Sequence, residues 1–478
     1  MTDTGASTPR KIPTAANTLA VGTVGLELQE GRHIPRKQVI SWALWDWATQ
    51  PFNTVILTFI FTALYLTKSF FLPADVAALP ESDPRFQAGI ANLAAQLGYA
   101  GGVAGLLIAV LAPVLGQRSD TSGKRKLLLA FNTGAVVLSM ALLYFVEASP
   151  NFFLLGISLV AIGSIFNEIA GVHYNAMLVQ VSSPKTVGRV SALGWGLGYI
   201  GGILMLVIVV VAQSFDWFGL STDNGLPFRV IALGCALWTI IFVIPIFLFV
   251  PDLPPTAARD RVSFFASYGR LLRDVKALYR DSRPTFWFLL ASAVYRDGLA
   301  GVFTYGAVLA AAGFGFEFTE VVLFGIAANI IAGVSTFVAG LFDDKIGPRA
   351  VIIASLVGLI IAGVAVFALH DLGKIVFWIG GLALTVFVGP AQSASRSLLA
   401  RVTPAGREGE IFGLYATTGR AASPFSPLLW GLFISIFGAI HFGVLGIVLV
   451  LAVGLVLMLL VKISPKSPAA PPLTTESR

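Results

Sequence analysis

Apolar runs long enough to cross a lipid bilayer recur along almost the whole chain, and no other feature restricts the fold so tightly. They lie near 39–66, 87–115, 127–147, 151–176, 189–213, 228–250, 284–312, 319–342, 350–369, 373–396, 409–437 and 440–462, twelve in all. A helix rises about 1.5 Å per residue, so about 20 apolar residues cross a hydrocarbon layer of about 30 Å. Inside that layer every backbone N–H and C=O needs an internal partner, which leaves the helix as the form available to runs of this length. Charged residues make up only 12% of the chain, against about 25% in soluble domains. So few charges cannot cover the surface of soluble domains built from 478 residues. The expectation is an all-α integral membrane protein with twelve transmembrane helices.

The longest polar interval divides these spans six and six. Residues 1–38 lack an early apolar core, so they read as a disordered tail rather than a cleavable signal. Residues 39–250 form one six-helix half, 251–282 a linker, 283–463 the second half, and 464–478 another disordered tail. Within the linker, Phe264, Leu271, Val275 and Leu278 alternate at helical spacing with Arg270, Arg273, Lys276 and Arg280. That pattern predicts an amphipathic helix on the membrane surface; a plain charged linker is the alternative.

Lys and Arg orient the spans. One side collects 25 of the 32, whereas the opposite loops hold Lys68, Arg85, Arg229 and Lys374, and Arg296, Arg396 and Arg420 fall within spans. Positive residues favour the cytoplasmic side. Both termini are therefore expected in the cytoplasm, with the chain multi-pass in the cell membrane. The formal charge of +7 is accounted for by topology, so it does not call for nucleic acid. The lone Cys235 excludes an intrachain disulfide.

A repeat sharpens the division. Gly116, Asp120, Gly123 and Lys124–Arg125 follow the second span, and Gly340, Asp344, Gly347 and Arg349 follow the eighth, 224 residues later at equal spacing. The pair resembles the cytoplasmic signature loop of the major facilitator superfamily. The resemblance implies two six-helix halves rocking about a central site. It also implies that the loop aspartate meets the amino end of a helix in the other half and latches the outward-facing state. Gly116, Asp120, Gly123, Arg125, Gly340, Asp344, Gly347 and Arg349 are therefore the candidate cytoplasmic gate. Thr121 stands where the signature has a basic residue, which Lys345 retains; the first latch is weaker, or Arg125 substitutes.

Four further segments, "WALWDWATQPF" (42–52), "YNAML" (174–178), "GRVSALGWGLGYIGG" (188–202) and the stretch 395–431, are similar to the branch related to fungal vacuolar effluxers of the autophagy pathway. That resemblance implies export of amino acids. Arg296, in "YRDG", stands where the branch commonly has a small polar residue.

Polar residues mark which spans face an interior. Asp46, Gln50 and Asn53 share one helical face of span one, Asn92, Gln96 and Tyr99 one of span two, Ser164, Glu168 and Asn175 one of span four, and Thr385, Gln392 and Arg396 one of span ten. Spans three, six, nine and twelve are bland, as lipid-facing helices should be. The cavity and substrate candidates are Asp46, Gln50, Asn53, Gln96, Glu168, Asn175, Arg296 and Gln392. A charge at a helix centre costs about 2.5–3.5 kcal/mol on insertion scales, so such residues are usually paired or functional. Asp46 reads as a gate carboxylate, or as an interfacial one near Arg32, Arg36 or Lys37. Glu168 lies deeper and reads as a protonatable coupling group or a structural pair. Arg296 reads as a contact for an anionic substrate group. Arg396 and Arg420 read as snorkelling or gating residues.

Glycines at 194, 198 and 202 and at 101 and 105 have the small-xxx-small spacing of close helix packing. Pro51, Pro113 and Pro390 are expected to kink spans beside a cavity, and Trp42, Trp45 and Trp47 to anchor an interface. No metal-ligand spacing occurs among the four histidines, and no nucleotide loop is present. The expectation is a non-enzymatic, monomeric secondary transporter of a small organic solute, an amino-acid exporter by resemblance, without a cofactor beyond proton coupling. Surrounding lipid is its other partner. A lipid or drug exporter, or a non-transporting receptor, are the alternatives.

Overall fold

The computed structural model describes residues 34–122, 125–182, 187–252, 269, 273, 275–280, 282–402 and 408–461. Among them are thirteen helices of at least 13 residues. The first six are α1 (Arg36–Pro51), α2 (Pro84–Ser122), α3 (Arg125–Leu142), α4 (Phe153–Ala176), α5 (Val187–Ser214) and α6 (Leu226–Phe249). After the linker come α7 (Arg283–Val308), α8 (Phe318–Ile346), α9 (Pro348–Ala368), α10 (Lys374–Val402), α11 (Glu408–Ala421), α12 (Phe425–Phe437) and α13 (Gly443–Leu460). Eleven helical segments are long and apolar enough to cross a membrane. The predicted eleventh span is not one helix. It breaks between Ala421 and Phe425, leaving α11 and α12, of 14 and 13 residues. The sequence there is "ASPF": Pro424 lacks an N–H and disfavours helical backbone before it.

The two halves repeat one neighbour scheme. In the first, α1 packs on α5 and α6, α2 on α4, and α3 on both α4 and α6. In the second, α7 packs on α11, α12 and α13, α8 on α10, and α9 on both α10 and α13. The helices expected to face lipid carry exposed apolar side chains such as Phe131, Leu237, Ile361 and Val456. Hydrocarbon is their natural solvent.

Small residues set the contact between halves. A Cβ on Gly98 of α2 would lie 2.8 Å from the Trp430 ring of α12, and one on Gly105 would lie 3.0 Å from the Pro424 backbone. Glycine lets the two backbones approach there. Gly194 and Gly198 do the same for α5 against Asp46 of α1. Of the predicted linker helix, Val275 and Leu278 pack into the protein core while Arg273, Lys276 and Arg280 are exposed. Its Phe264, Arg270 and Leu271 lie outside the described residues, as do 1–33 and 462–478 of the tails.

Candidate functional site

Span one changes helix type at Pro51. The α-helical turn ends there, and π-helical turns follow over Phe52–Phe59 and Phe61–Leu66. Proline removes the N–H that the Trp47 carbonyl would have accepted. That carbonyl instead accepts the indole N–H of Trp238 at 3.1 Å. Phe52 N–H turns to the Thr49 carbonyl, and the Ala48 carbonyl takes the Thr239 hydroxyl at 2.8 Å. Within the π turns, the hydroxyls of Thr58, Thr62 and Thr67 donate to the carbonyls five residues earlier. The irregular backbone expected near Pro51 is real, and its polar groups are satisfied by neighbouring side chains. Helices α2 and α10 run through Pro113 and Pro390.

Asp46 sits one turn before this change. Its carboxylate accepts the Tyr174 hydroxyl at 2.9 Å, so its partner is a tyrosine of α4 rather than the basic residues at the start of span one. The Tyr174 ring is held between Trp42 and Trp45, with centroids 4.4 and 4.3 Å away. The indole of Trp42 donates to the Tyr174 carbonyl, and that of Trp45 to the Thr133 hydroxyl. The interfacial reading is corrected for Trp42 and Trp45, which are buried; the half-buried Trp47 stacks on Trp238 at 5.4 Å. Each indole N–H that leaves water finds an acceptor at Trp42 and Trp45, which is what lets tryptophan be buried there.

Further toward the middle, polar side chains pair within each half, and one pair joins the halves. Asn167 of α4 donates to Asn53 of span one at 3.2 Å. The next residue, Glu168, lies 4.0 Å from the Arg420 guanidinium of α11. Arg296 of α7 lies 4.1 Å over the Tyr415 ring of α11 and donates to the Tyr415 carbonyl at 3.3 Å. A Cβ on Gly419 would lie 2.9 Å from the Arg296 guanidinium, so this glycine makes room for it. Spans four, seven and eleven thus bring a carboxylate and two guanidiniums together, while the amides of Asn53 and Asn167 pair one residue away along α4. The Glu168 side chain is 51% exposed and that of Arg420 22%. Charged groups avoid hydrocarbon, so the exposed part of Glu168 calls for an aqueous rather than a lipid environment.

Gln50 faces α5 at Gly198 and Gly202. Gln96 and Gln392 are half-buried and Asn175 is exposed. Among the described residues, no hydrogen bond joins these three to the central region. Arg420 pairs with Glu168 across the halves. Tyr174, Tyr415 and Asn167 escape the sequence reading because they are uncharged and fall outside the one-face spacing that picks out residues such as Ser164, Glu168 and Asn175.

The signature loops are described only in part. Gly123 and the side chains of Asp120 and Asp344 lie outside the described residues, and Gly116 and Gly340 are described only as helical backbone. Gly347 has φ +84° and ψ 152°, a region open in practice to glycine alone. The signature glycine therefore has a conformational reason. Arg349 donates to the Leu459 carbonyl at 3.1 Å, tying α9 to the end of α13 within its own half. Arg125 is buried.

At the end of the molecule away from the termini, the halves meet directly. The Lys68 ammonium donates to the Ala311 carbonyl at 2.8 Å. Ala311 lies in the π turn Leu309–Gly313, where the backbone pattern loosens carbonyls. The Thr319 hydroxyl donates to Gln213 at 3.0 Å, and Trp217 packs edge-on against Phe318 at 5.5 Å. Beside them Lys374 pairs with Glu320 at 2.6 Å. These contacts seal that end across the two halves. Two of the scattered histidines, His370 and His441, come together there with ring centroids 3.9 Å apart and planes 21° apart. Stacked rings present their nitrogens side by side and do not converge on a metal.

A family model described as "Vacuole effluxer Atg22 like" matches residues 35–183 and 179–470. The chain is 28% identical over 431 residues to the "Uncharacterized MFS-type transporter YxiO" of Bacillus subtilis (strain 168), covering 88% of this chain and 94% of that one. It is 26% identical over 322 residues to "Autophagy-related protein 22-1" of Aspergillus fumigatus, covering 62% of this chain. This chain spans 52% of that fungal relative's length. Among solved structures, a D-xylose-proton symporter superposes with a TM-score of 0.63 at 13% identity, covering 88% of this chain and 96% of that one. At such low identity the likeness speaks for the fold alone, and that fold is the all-α major facilitator arrangement.

Proposed function

The chain belongs to the Atg22-like vacuole effluxer family, and from that premise we propose that it exports amino acids across the cell membrane by alternating access. Solute transport is the function its family membership carries, and it is a carrier rather than an enzyme. The narrower reading rests on one observation, the pairing of Glu168 with Arg420 across the halves beside Arg296. An amino acid carries both signs. Its carboxylate suits the planar guanidiniums of Arg296 and Arg420, and its ammonium suits Glu168. A zwitterion entering here replaces the Glu168–Arg420 contact with two contacts of its own. Because the pair bridges the halves, its replacement also bears on how the halves are held.

Both termini face the cytoplasm in this reading, from the distribution of Lys and Arg. The sealed end is then the outer one, and Glu168 is reached from inside. That arrangement suits a carrier that loads in the cytoplasm and releases outside. The carrier works as a monomer. The test is uptake of radiolabelled leucine and lysine into proteoliposomes holding the purified protein. Leucine exchange that Glu168→Gln and Arg420→Met both abolish is the expected result. Exchange of leucine at the same rate in both variants would sink the zwitterion site.

A further inference from the structure

Span seven carries a second buried acid that the solute site leaves unused. Asp297 is 6% exposed, and its carboxylate accepts the Ser426 backbone N–H at 2.6 Å. Ser426 is the second residue of α12, just past the break in the predicted eleventh span. The surroundings are tight. A Cβ on Gly301 would lie 2.8 Å from the Ser426 side chain, and one on Gly298 2.7 Å from Leu451 of α13. The Ser426 hydroxyl is fully buried and has no hydrogen-bond partner. Among the described residues no cation pairs with Asp297. Its neighbour Arg296 points about 100° away around the helix and is engaged with Tyr415.

A carboxylate so placed has two ways to be tolerated. Ionised, it is held by the partial positive charge at the start of α12. Protonated, it is neutral and its burial costs far less. We propose that Asp297 is the proton-binding site of this transporter, and that the break in the predicted eleventh span reads its charge. This rests on the transport reading above, not on amino acids being the solute.

The proton adds to a carboxylate oxygen of Asp297 from water and returns to water on the other side; no other bond changes. With the proton bound, the charge that pins the start of α12 to α7 is gone. The O–H gains an acceptor in the unpartnered Ser426 hydroxyl. The joint between α11 and α12 is then free to turn, and Arg420, one residue before the end of α11, moves with it. Protonation at Asp297 thereby reaches the Glu168–Arg420 contact. Among the described residues, Tyr305 of α7 is the titratable group that interacts with its charge, and the adjacent Arg296 is engaged with Tyr415. The facing residues of α13 include Leu451 and Gly454, which do not titrate.

The test uses the full chain in liposomes and two readouts. Infrared difference spectra, with no solute present, follow the carbonyl band of protonated carboxyl groups between about pH 5 and about pH 9. A titrating band in the native protein that Asp297→Asn removes is expected; an identical titration in that variant would overturn the proposal. In parallel, radiolabelled leucine uptake driven by a pH gradient is expected to be lost in Asp297→Asn while leucine exchange persists. Gradient-driven accumulation at the native level would equally overturn it. A native Asp297-dependent band with no leucine transport supports the proton site and counts against amino acids as the solute. If Asp297→Asn does not fold, Ser426→Ala takes its place. It should shift the pH midpoint of the band, and an unmoved midpoint overturns the link to the break.

Discussion

Glu168 and Arg420 approach to 4.0 Å from opposite halves of the molecule. Both side chains retain contact with open space, so the pair is a poor source of stability. Partly exposed ion pairs are worth about 0–1 kcal/mol. Its consequence lies in what it exposes to a solute. Replacing Arg420 with Met should lower the apparent affinity for a zwitterionic substrate at least about tenfold, since one charge-assisted contact is worth about 1.5–3 kcal/mol. The melting temperature in detergent should stay within a few degrees of the native one. A large fall in melting temperature with unchanged affinity would mean that the pair is structural.

Lys68 makes a separate prediction about the sealed end. Burial, the largest influence, pushes its ammonium below the ordinary lysine value; Glu81 and Glu317 raise it and Lys374 lowers it. When the seal opens and water reaches Lys68, its ordinary pKa of about 10.4 returns. The sealed arrangement therefore binds this proton less tightly than the open one. Between the lowered value and about 10.4, raising the pH should favour the sealed state. The neutral amine still donates to the Ala311 carbonyl. Fluorescence between probes placed on the two halves at that end would follow the change, and Lys68→Met should remove its alkaline limb. An equal alkaline response in Lys68→Met would assign the effect to another group.

Helical periodicity marks polar faces and bland peripheral helices, because both are properties of single helices. Partners were another matter. Asp46 has Arg36 and Lys37 within ten residues, yet its hydrogen bond goes to Tyr174, 128 positions away. Nothing within span one could indicate that. The break at Ala421–Phe425 was legible in principle: Pro424 and Pro427 stand within the predicted eleventh span. The length of the apolar run hid them, since hydropathy does not register a missing N–H. Asp297 was visible beside Arg296, but its role depends on the start of α12, which exists only because of that break.

Pro51 predicts a dependence on span six. Thr239→Val leaves the Ala48 carbonyl without its side-chain donor, and Trp238→Phe does the same to the Trp47 carbonyl. Each lost bond should cost about 1 kcal/mol, the usual scale for side-chain hydrogen bonds in membrane helices. The double variant should lose more than the sum if the π turns revert to α-helical pairing, because Phe52 N–H is then drawn back from Thr49. Thermal unfolding in detergent measures both. Additive losses would mean that the π turns hold without those donors.

The glycine seam between α2 and α12 gives the most direct test of alternating access. A Cβ on Gly98 meets the Trp430 ring at 2.8 Å, the Pro427 carbonyl at 2.9 Å and the Gly431 nitrogen at 3.0 Å. Two of these three are backbone atoms, so the methyl of Gly98→Ala cannot be absorbed by a rotamer change, and the helices must separate. Tyr99 bonds to Ser435 at 2.7 Å along the same seam. A cysteine placed at Ser435 therefore reports the separation, and the native Cys235 is fully buried and silent. Gly98→Ala should raise the labelling rate at that cysteine several-fold. A shift of about 1.4 kcal/mol already changes the open population tenfold. If halves that rock about a central site carry the solute, exchange should slow in the same variant, since a carrier held on one side turns over rarely. Faster labelling with undiminished exchange would mean that α2 and α12 part without limiting the cycle.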